Sequence, residues 1–151
     1  MNIQRTLAIV KPDLFCRGDG AKQAIITKMR DHGLSVVATR RVERWHIEEA
    51  RRFYGEHKGR FYFPRLIHHM TSAPFEVYVL QGEDAIAKWR RLMGPTHLEK
   101  AKLNPDSCRG MFSRSDTKNA VHGSDSPQNA DFEIGIFFPD ITPNPAPEEN
   151  N

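Results

Sequence analysis

Little in this chain suggests a secreted, disulfide-stapled or membrane-bound protein. Its 151 residues hold two cysteines, Cys16 and Cys108, too few for a disulfide framework. Without a secretory leader, such thiols fit a reducing compartment and are expected to be free. Met1 to Arg5 leaves no room for a leader before the first apolar run, and no run approaches the length that spans a membrane. The expected setting is therefore the cytoplasm, with mitochondria as the alternative, and no membrane partner. Also missing are a glycine-rich loop ending in Gly-Lys-Ser/Thr, which excludes a P-loop nucleotide site, and a His-Glu-x-x-His pair, which excludes that class of zinc enzyme. His68 and His69 are adjacent on an expected helix, so their rings diverge and make poor joint metal ligands. No repeat or low-complexity tract precedes the C-terminal end.

The one clear shift in composition comes late. Pro139 to Asn151 carries four of the ten prolines, three acids and no Lys or Arg. This divides the chain into one domain, 1–138, and an extended acidic, proline-rich tail, 139–151. The whole chain has a formal charge of +3, so setting aside the three tail acids leaves the body at +6. A body of that charge favours polyanionic partners, nucleotides or nucleic acid.

Thr6 to Val10 is a continuously apolar run stopped by Pro12, as a central strand requires. Ala21 to Arg30 sets Ile25, Ile26 and Met29 at helical spacing, and His32-Gly33 ends that helix. Leu34 to Val42 and Phe75 to Leu80 read as strands. Ile47 to Tyr54, Tyr62 to Met70, Asp84 to Met93 and Pro127 to Phe137 read as helices, the first entered from His46. A long irregular loop is expected over Gly94 to Asp116, and a short last strand over Asn119 to Val121. This order is that of an α+β, ferredoxin-like split βαβ sandwich, with four antiparallel strands covered by helices on one face. Such sheets also bind RNA through aromatics on an open face, but no aromatic pair of that kind lies on the central strands, so nucleic acid is not the expected ligand.

The most informative stretch is Asn119-Ala120-Val121-His122-Gly123-Ser124-Asp125-Ser126. It places one histidine at a strand end beside a turn in which Gly123 permits a backbone that a Cβ would resist. Ser124, Asp125 and Ser126 can cap the helix that starts near Pro127. A neutral imidazole has a free lone pair, and Glu133, one to two turns into that helix, is placed to orient the ring. A lone histidine at a strand end is more often structural than nucleophilic, so its neighbours must decide.

Those neighbours suit phosphoryl transfer, which requires a polyanion to be held still and its charge neutralised. Lys11-Pro12-Asp13 follows directly on a buried strand, leaving the lysine at the crevice beyond the strand end. In Arg109-Gly110 a glycine would let the backbone approach a phosphate while the guanidinium offers a bidentate fork. Arg90, Thr96 and Asn119 complete the set. Taken singly, each has an innocent surface or capping reading.

Taken together, Lys11-Pro12-Asp13, Arg109-Gly110-x-Phe112 and Asn119-x-x-His122-Gly123-Ser124-Asp125-Ser126 with Glu133 resemble the nucleoside diphosphate kinases, from about Thr6 to Asp140. The resemblance implies a ping-pong transfer of the γ-phosphoryl group from a nucleoside triphosphate to a nucleoside diphosphate through phosphohistidine, with His122 as nucleophile. It implies that Lys11, Arg90, Thr96, Arg109 and Asn119 hold phosphates and sugar hydroxyls, and that Glu133, supported by Ser124, orients the imidazole. Tyr54 matches a site tyrosine, and Tyr62 stands where the family has a phenylalanine that stacks on the base. Local pattern alone would let Phe61 or Phe63 exchange roles with it. The implied cofactor is Mg²⁺ held through nucleotide phosphates, with no metal ligands in the chain. Leu14 replaces the usual glycine after Lys-Pro-Asp, and Arg60-Phe61-Tyr62-Phe63 stands for Arg-Pro-Phe-Phe. Gly94-Pro95-Thr96-His97-Leu98 replaces a continuation in Thr-Asn-Pro, and the loop to Arg109 is about two residues longer than usual, as in a divergent subgroup. That loop packs near subunit contacts in the family, so a dimer is the expected minimum assembly and a hexamer the larger alternative. Against a catalytically silent relative, every required polar position is filled.

Overall fold

The computed structural model describes residues 2–142 and 144. β1 (Ile3–Val10) is the strand on which the rest is organised, and its last five residues, Thr6 to Val10, are all buried. Pro12 opens a single helical turn, α1 (Pro12–Phe15), followed by α2 (Asp19–Asp31) and β2 (Ser35–Val42). Next come α3 (Ile47–Phe53), a 3₁₀ turn over Gly55–His57, α4 (Phe63–Ser72) and β3 (Phe75–Glu83). α5 (Ala85–Met93), α6 (Leu98–Lys102), α7 (Cys108–Phe112), β4 (Val121–Gly123) and α8 (Pro127–Phe137) complete the order.

The sheet runs β2-β3-β1-β4, antiparallel throughout, the expected ferredoxin-like α+β arrangement. Its covering differs from the expectation of helices on one face. Leu7 and Ile9 of β1, with Val77 and Val79 of β3, pack against Phe53 of α3, Met70 of α4 and Phe137 of α8. Their alternates Ala8, Val10, Tyr78 and Leu80 pack against Met29 of α2 and Trp89 of α5. Side chains alternate across a strand, so burial on both sides explains why β1 carries no polar alternation. It also leaves the central strands no open face for an RNA-binding aromatic pair.

Two further expectations are corrected. Gly94 to Asp116 is not one irregular loop, because α6 and α7 lie within it. Each is five residues long, little more than one turn, which is too short to show helical periodicity. The last strand is Val121–Gly123 rather than 119–121, so His122 lies inside it. Ala120 has φ +73°, outside the extended region, and the strand begins only beyond it.

β4 pairs with Ala8, Ile9 and Val10, and among the described residues no strand covers the earlier edge of β1. There the amide side chain of Asn144 substitutes for one. It accepts from Arg5 N at 2.6 Å and donates to Arg5 O at 2.8 Å, while the Arg5 guanidinium donates to Thr142 O at 3.1 Å. Of the expected extended tail, Pro143 and 145–151 lie outside the described residues. Cys16 is exposed, Cys108 is buried, and both are free.

Candidate functional site

Lys11 stands where β1 stops. It is buried, and its ammonium donates to Thr117 O at 2.7 Å and Asn119 Oδ1 at 2.8 Å. Burial pulls its pKa from 10.5 down to about 7; Asp13 opposes the shift and Arg109 adds to it. Asp13, two residues on, accepts from Ala120 N at 3.0 Å through Oδ2 and lies 2.9 Å from His69 Nε2 through Oδ1. Burial works to raise the Asp13 pKa, but the His69 hydrogen bond, the Lys11 charge and the Ala120 N–H outweigh it and hold the carboxyl below its usual range. His69 is buried and His68 exposed, so the adjacent histidines diverge as their helical spacing requires.

Val121 N donates back to Asn119 O at 2.9 Å across Ala120, whose φ of +73° is rare without glycine. Beyond this turn His122 pairs with Ile9 across the sheet and therefore faces α3 and α8. Its ring centroid lies 5.1 Å from that of Phe53 and 5.8 Å from that of Tyr54. Nε2 is 2.7 Å from Glu133 Oε1, the same oxygen that accepts from Ser124 Oγ at 2.9 Å. An ionised carboxylate only accepts, so Nε2 carries the proton and the lone pair lies on Nδ1. Ser124 Oγ in turn accepts from Leu7 N at 3.3 Å, tying the carboxylate's support to β1.

Only Ser126 caps α8 at its N-terminus, accepting from Asn129 N at 3.1 Å; Ser124 is engaged with Glu133. The reason expected for Gly123 is also corrected. Its φ is not left-handed; a Cβ there would meet Trp89 Cδ1 at 2.6 Å and Met93 Sδ at 2.7 Å. Glycine is needed for space. Trp89 Nε1 donates to His122 O at 3.0 Å across that contact.

Arg109 departs from its expected role as an open fork. Its guanidinium donates to Asn119 O, Gly94 O, Thr96 Oγ1 and Val121 O, which uses four of an arginine's five donors. It pins the ends of α5 and β4 together and keeps one N–H and its charge for a ligand. Burial, with Arg90 nearby, lowers its pKa to about 10. Gly110 serves packing rather than phosphate approach, because a Cβ there would collide with the Asn104 carbonyl oxygen.

These elements enclose a cleft of about 530 Å³. Lys11, Tyr54, Tyr62, Arg90, Thr96, Arg109, Asn119, His122 and Glu133 all line it, whereas Ser124 stands behind Glu133. The Tyr54 hydroxyl is buried without a partner among the described residues, and burial, with Glu133 nearby, pushes its pKa above the usual phenol value. Tyr62 donates or accepts at His57 Nδ1 over 2.5 Å. Tyr62 and Phe63 both pack partly buried against the core, while Phe61, 89 % exposed, lines the cleft together with Tyr62. His57 and Asp116 also line the cleft and were not evident from the sequence, since neither sits in a motif. Asp116 accepts from Leu98 N at 2.8 Å. Among the described residues no three His, Cys, Asp or Glu side chains gather as metal ligands.

Known proteins are similar to this chain over most of its length. The family model for nucleoside diphosphate kinase matches residues 4–142. Nucleoside diphosphate kinase 6 of Mus musculus is 43% identical over 141 residues, 93% of this chain and 74% of that protein. The nucleoside diphosphate kinase of Hydrogenovibrio crunogenus is 43% identical over 139 residues, 92% of this chain and 95% of that one. The solved nucleoside diphosphate kinase of Aquifex aeolicus superposes with a TM-score of 0.84 at 39% identity, covering 90% of this chain and 95% of its own. With its fold and nearly its whole length shared in this way, the chain belongs to the nucleoside diphosphate kinase family, enzymes of the kinase class.

Proposed function

We propose that this chain transfers the γ-phosphoryl group between nucleoside triphosphates and diphosphates in two half-reactions through phosphohistidine on His122. The observation that carries this reading is the 2.7 Å bond from His122 Nε2 to Glu133 Oε1, in a cleft also lined by Lys11, Arg90 and Arg109. In the first half, the Nδ1 lone pair attacks the γ-phosphorus in line. The P–N bond forms as the bond to the bridging β–γ oxygen breaks, and the diphosphate leaves with that oxygen and its charge. The proton stays on Nε2, where Glu133 stabilises the positive charge gained by the ring. In the second half, a terminal oxygen of a different diphosphate attacks the same phosphorus and Nδ1 leaves with its electron pair. One histidine serves both halves, so its geometry must survive the exchange of nucleotides; the buried Ser124–Glu133 support is suited to that.

Lys11, Arg90 and Arg109 counter the charge of the transferring oxygens, Thr96 and Asn119 add neutral donors, and the Tyr54 hydroxyl has a free proton for a ligand oxygen. The Tyr62 ring offers a stacking face that any base can use. Glu133 is engaged with His122 and Ser124, and Asp116 with Leu98. This donor set fits a Mg²⁺ ion carried on nucleotide phosphates rather than one caged by the protein. Such an ion would neutralise and align those phosphates. The test is to incubate the full chain with γ-labelled ATP and Mg²⁺, then chase with GDP. We expect an acid-labile, base-stable phosphoprotein whose label passes to GTP. No label on the wild type, or label that survives His122→Ala, contradicts the proposal.

A further inference from the structure

We infer that His69 is a positioning residue for this site: through Asp13 it holds the strained turn that sets Asn119 and His122 at the cleft. The inference rests on the function proposed above, but it concerns a side chain outside the cleft. His69 lies on the buried side of α4 among Leu66, Ile67 and Met70. Packing alone would be served there by another apolar residue. Instead the position carries a donor, with Nε2 2.9 Å from Asp13 Oδ1 and the two side chains 8% and 2% exposed.

Asp13 links that donor to the turn. Its Oδ2 accepts from Ala120 N at 3.0 Å, while Ala120 O accepts from Lys11 N at 2.9 Å. Both polar groups of Ala120 are thus held by the segment that ends β1 and begins α1. This residue needs such a clamp, since a non-glycine φ of +73° is strained and persists only where the surroundings impose it. On one side of Ala120 is Asn119, which accepts from Lys11 Nζ; two residues beyond it is His122. Relaxation of Ala120 would displace both.

The grip depends on Asp13 being ionised, which its burial opposes. The charged and titratable groups facing it are Lys11 at the end of β1, Arg17 beyond α1 and His69 from α4, with Arg109 behind Lys11. Removal of the His69 donor leaves one buried carboxylate oxygen without its partner. The Asp13 pKa rises, the hold on Ala120 weakens, and activity is lost at a higher pH as the medium is acidified.

The test compares full-length wild type with His69→Phe, which fills the space without a donor, and His69→Gln, which restores one. We expect His69→Phe to lower kcat roughly tenfold with KM within about twofold. The acid limb of its kcat profile should move up by about one pH unit, and the Ala120 amide should lose hydrogen-exchange protection; His69→Gln should recover all three. A His69→Phe protein with unchanged kcat and pH profile overturns the inference, as does an equal loss in both variants. If the wild type takes no label at all, the proposed function falls, and the Ala120 amide alone then decides the role of His69. If His69→Phe does not fold, titration of the wild type decides. The Ala120 amide and the His122 ring signals must move together as Asp13 takes up its proton, and independent movement contradicts the inference.

Discussion

Glu133 is the residue on which the aim of His122 depends. Its carboxylate is buried and shared between the imidazole and Ser124, so Glu133→Gln keeps the shape but replaces an anion by a neutral amide. The variant should lose the fixed Nε2–H tautomer and the stabilisation of the ring's charge. A 10- to 100-fold lower kcat is expected, with the melting temperature nearly unchanged. Stopped-flow phosphorylation of the enzyme checks this, and a rate within about twofold of wild type would remove Glu133 from the mechanism.

Lys11 gives a second prediction at this scale. Its folded pKa of about 7 lies below the ordinary 10.5, so between these values the unfolded chain holds a proton that the folded, empty protein lacks. Lys11 therefore favours folding least below pH 7, and its contribution to stability rises as pH climbs from about 7 toward 10.5. A bound polyphosphate favours the ammonium and reverses the loss. Nucleotide binding near pH 8 should thus take up close to one proton, and affinity should weaken at higher pH. Titration calorimetry in buffers of different ionisation enthalpy measures this; no proton uptake at pH 8 would mean that Lys11 does not meet the phosphates.

At the scale of elements, α5 and β4 touch too closely for any side chain between them. Gly123→Ala would drive a methyl into Trp89 and Met93, overpacking that costs typically 1–3 kcal/mol. It would also push His122 away from Glu133. Both a lower midpoint in urea and slower phosphoryl transfer are expected, and a variant of wild-type stability would contradict the packing argument. Elements with a strong signal of their own were legible in the sequence: α2, α4 and α5 repeat a buried face, β1 is a continuous apolar run, and α3 and α8 are marked by the residues at their start, His46 with the acids Glu48 and Glu49, and Ser126 with Pro127. The one-turn helices α1, α6 and α7 have no period to read. The site was legible where residue types cluster, as from Asn119 to Ser126. It was obscure where a contact joins distant segments. His69 meets Asp13 across 56 positions, and nothing local marks the pair. Gly110 and Gly123 were noticed for the wrong reason, since collision with Asn104 or Trp89 exists only once the elements are packed.

For the whole molecule, charge and edge strands matter most. The basic body concentrates Lys11, Arg90 and Arg109 at one cleft, consistent with a polyanionic ligand bound locally. β2 ends the sheet on one side with Val37 41 % exposed, an edge that a second copy could extend. We expect at least a dimer. Sedimentation equilibrium at micromolar concentration checks it, and a monomer throughout would contradict that expectation.

The central claim is that Glu133 holds the proton on Nε2 so that Nδ1 of His122 attacks phosphorus. Its most direct test is phosphorus-31 NMR of the full chain after brief reaction with ATP and Mg²⁺, with the phosphoryl position on the ring assigned by coupling to the ring protons. The account predicts a single phosphohistidine on His122 bonded through Nδ1. A phosphoryl group on Nε2, or on any other residue, would contradict it.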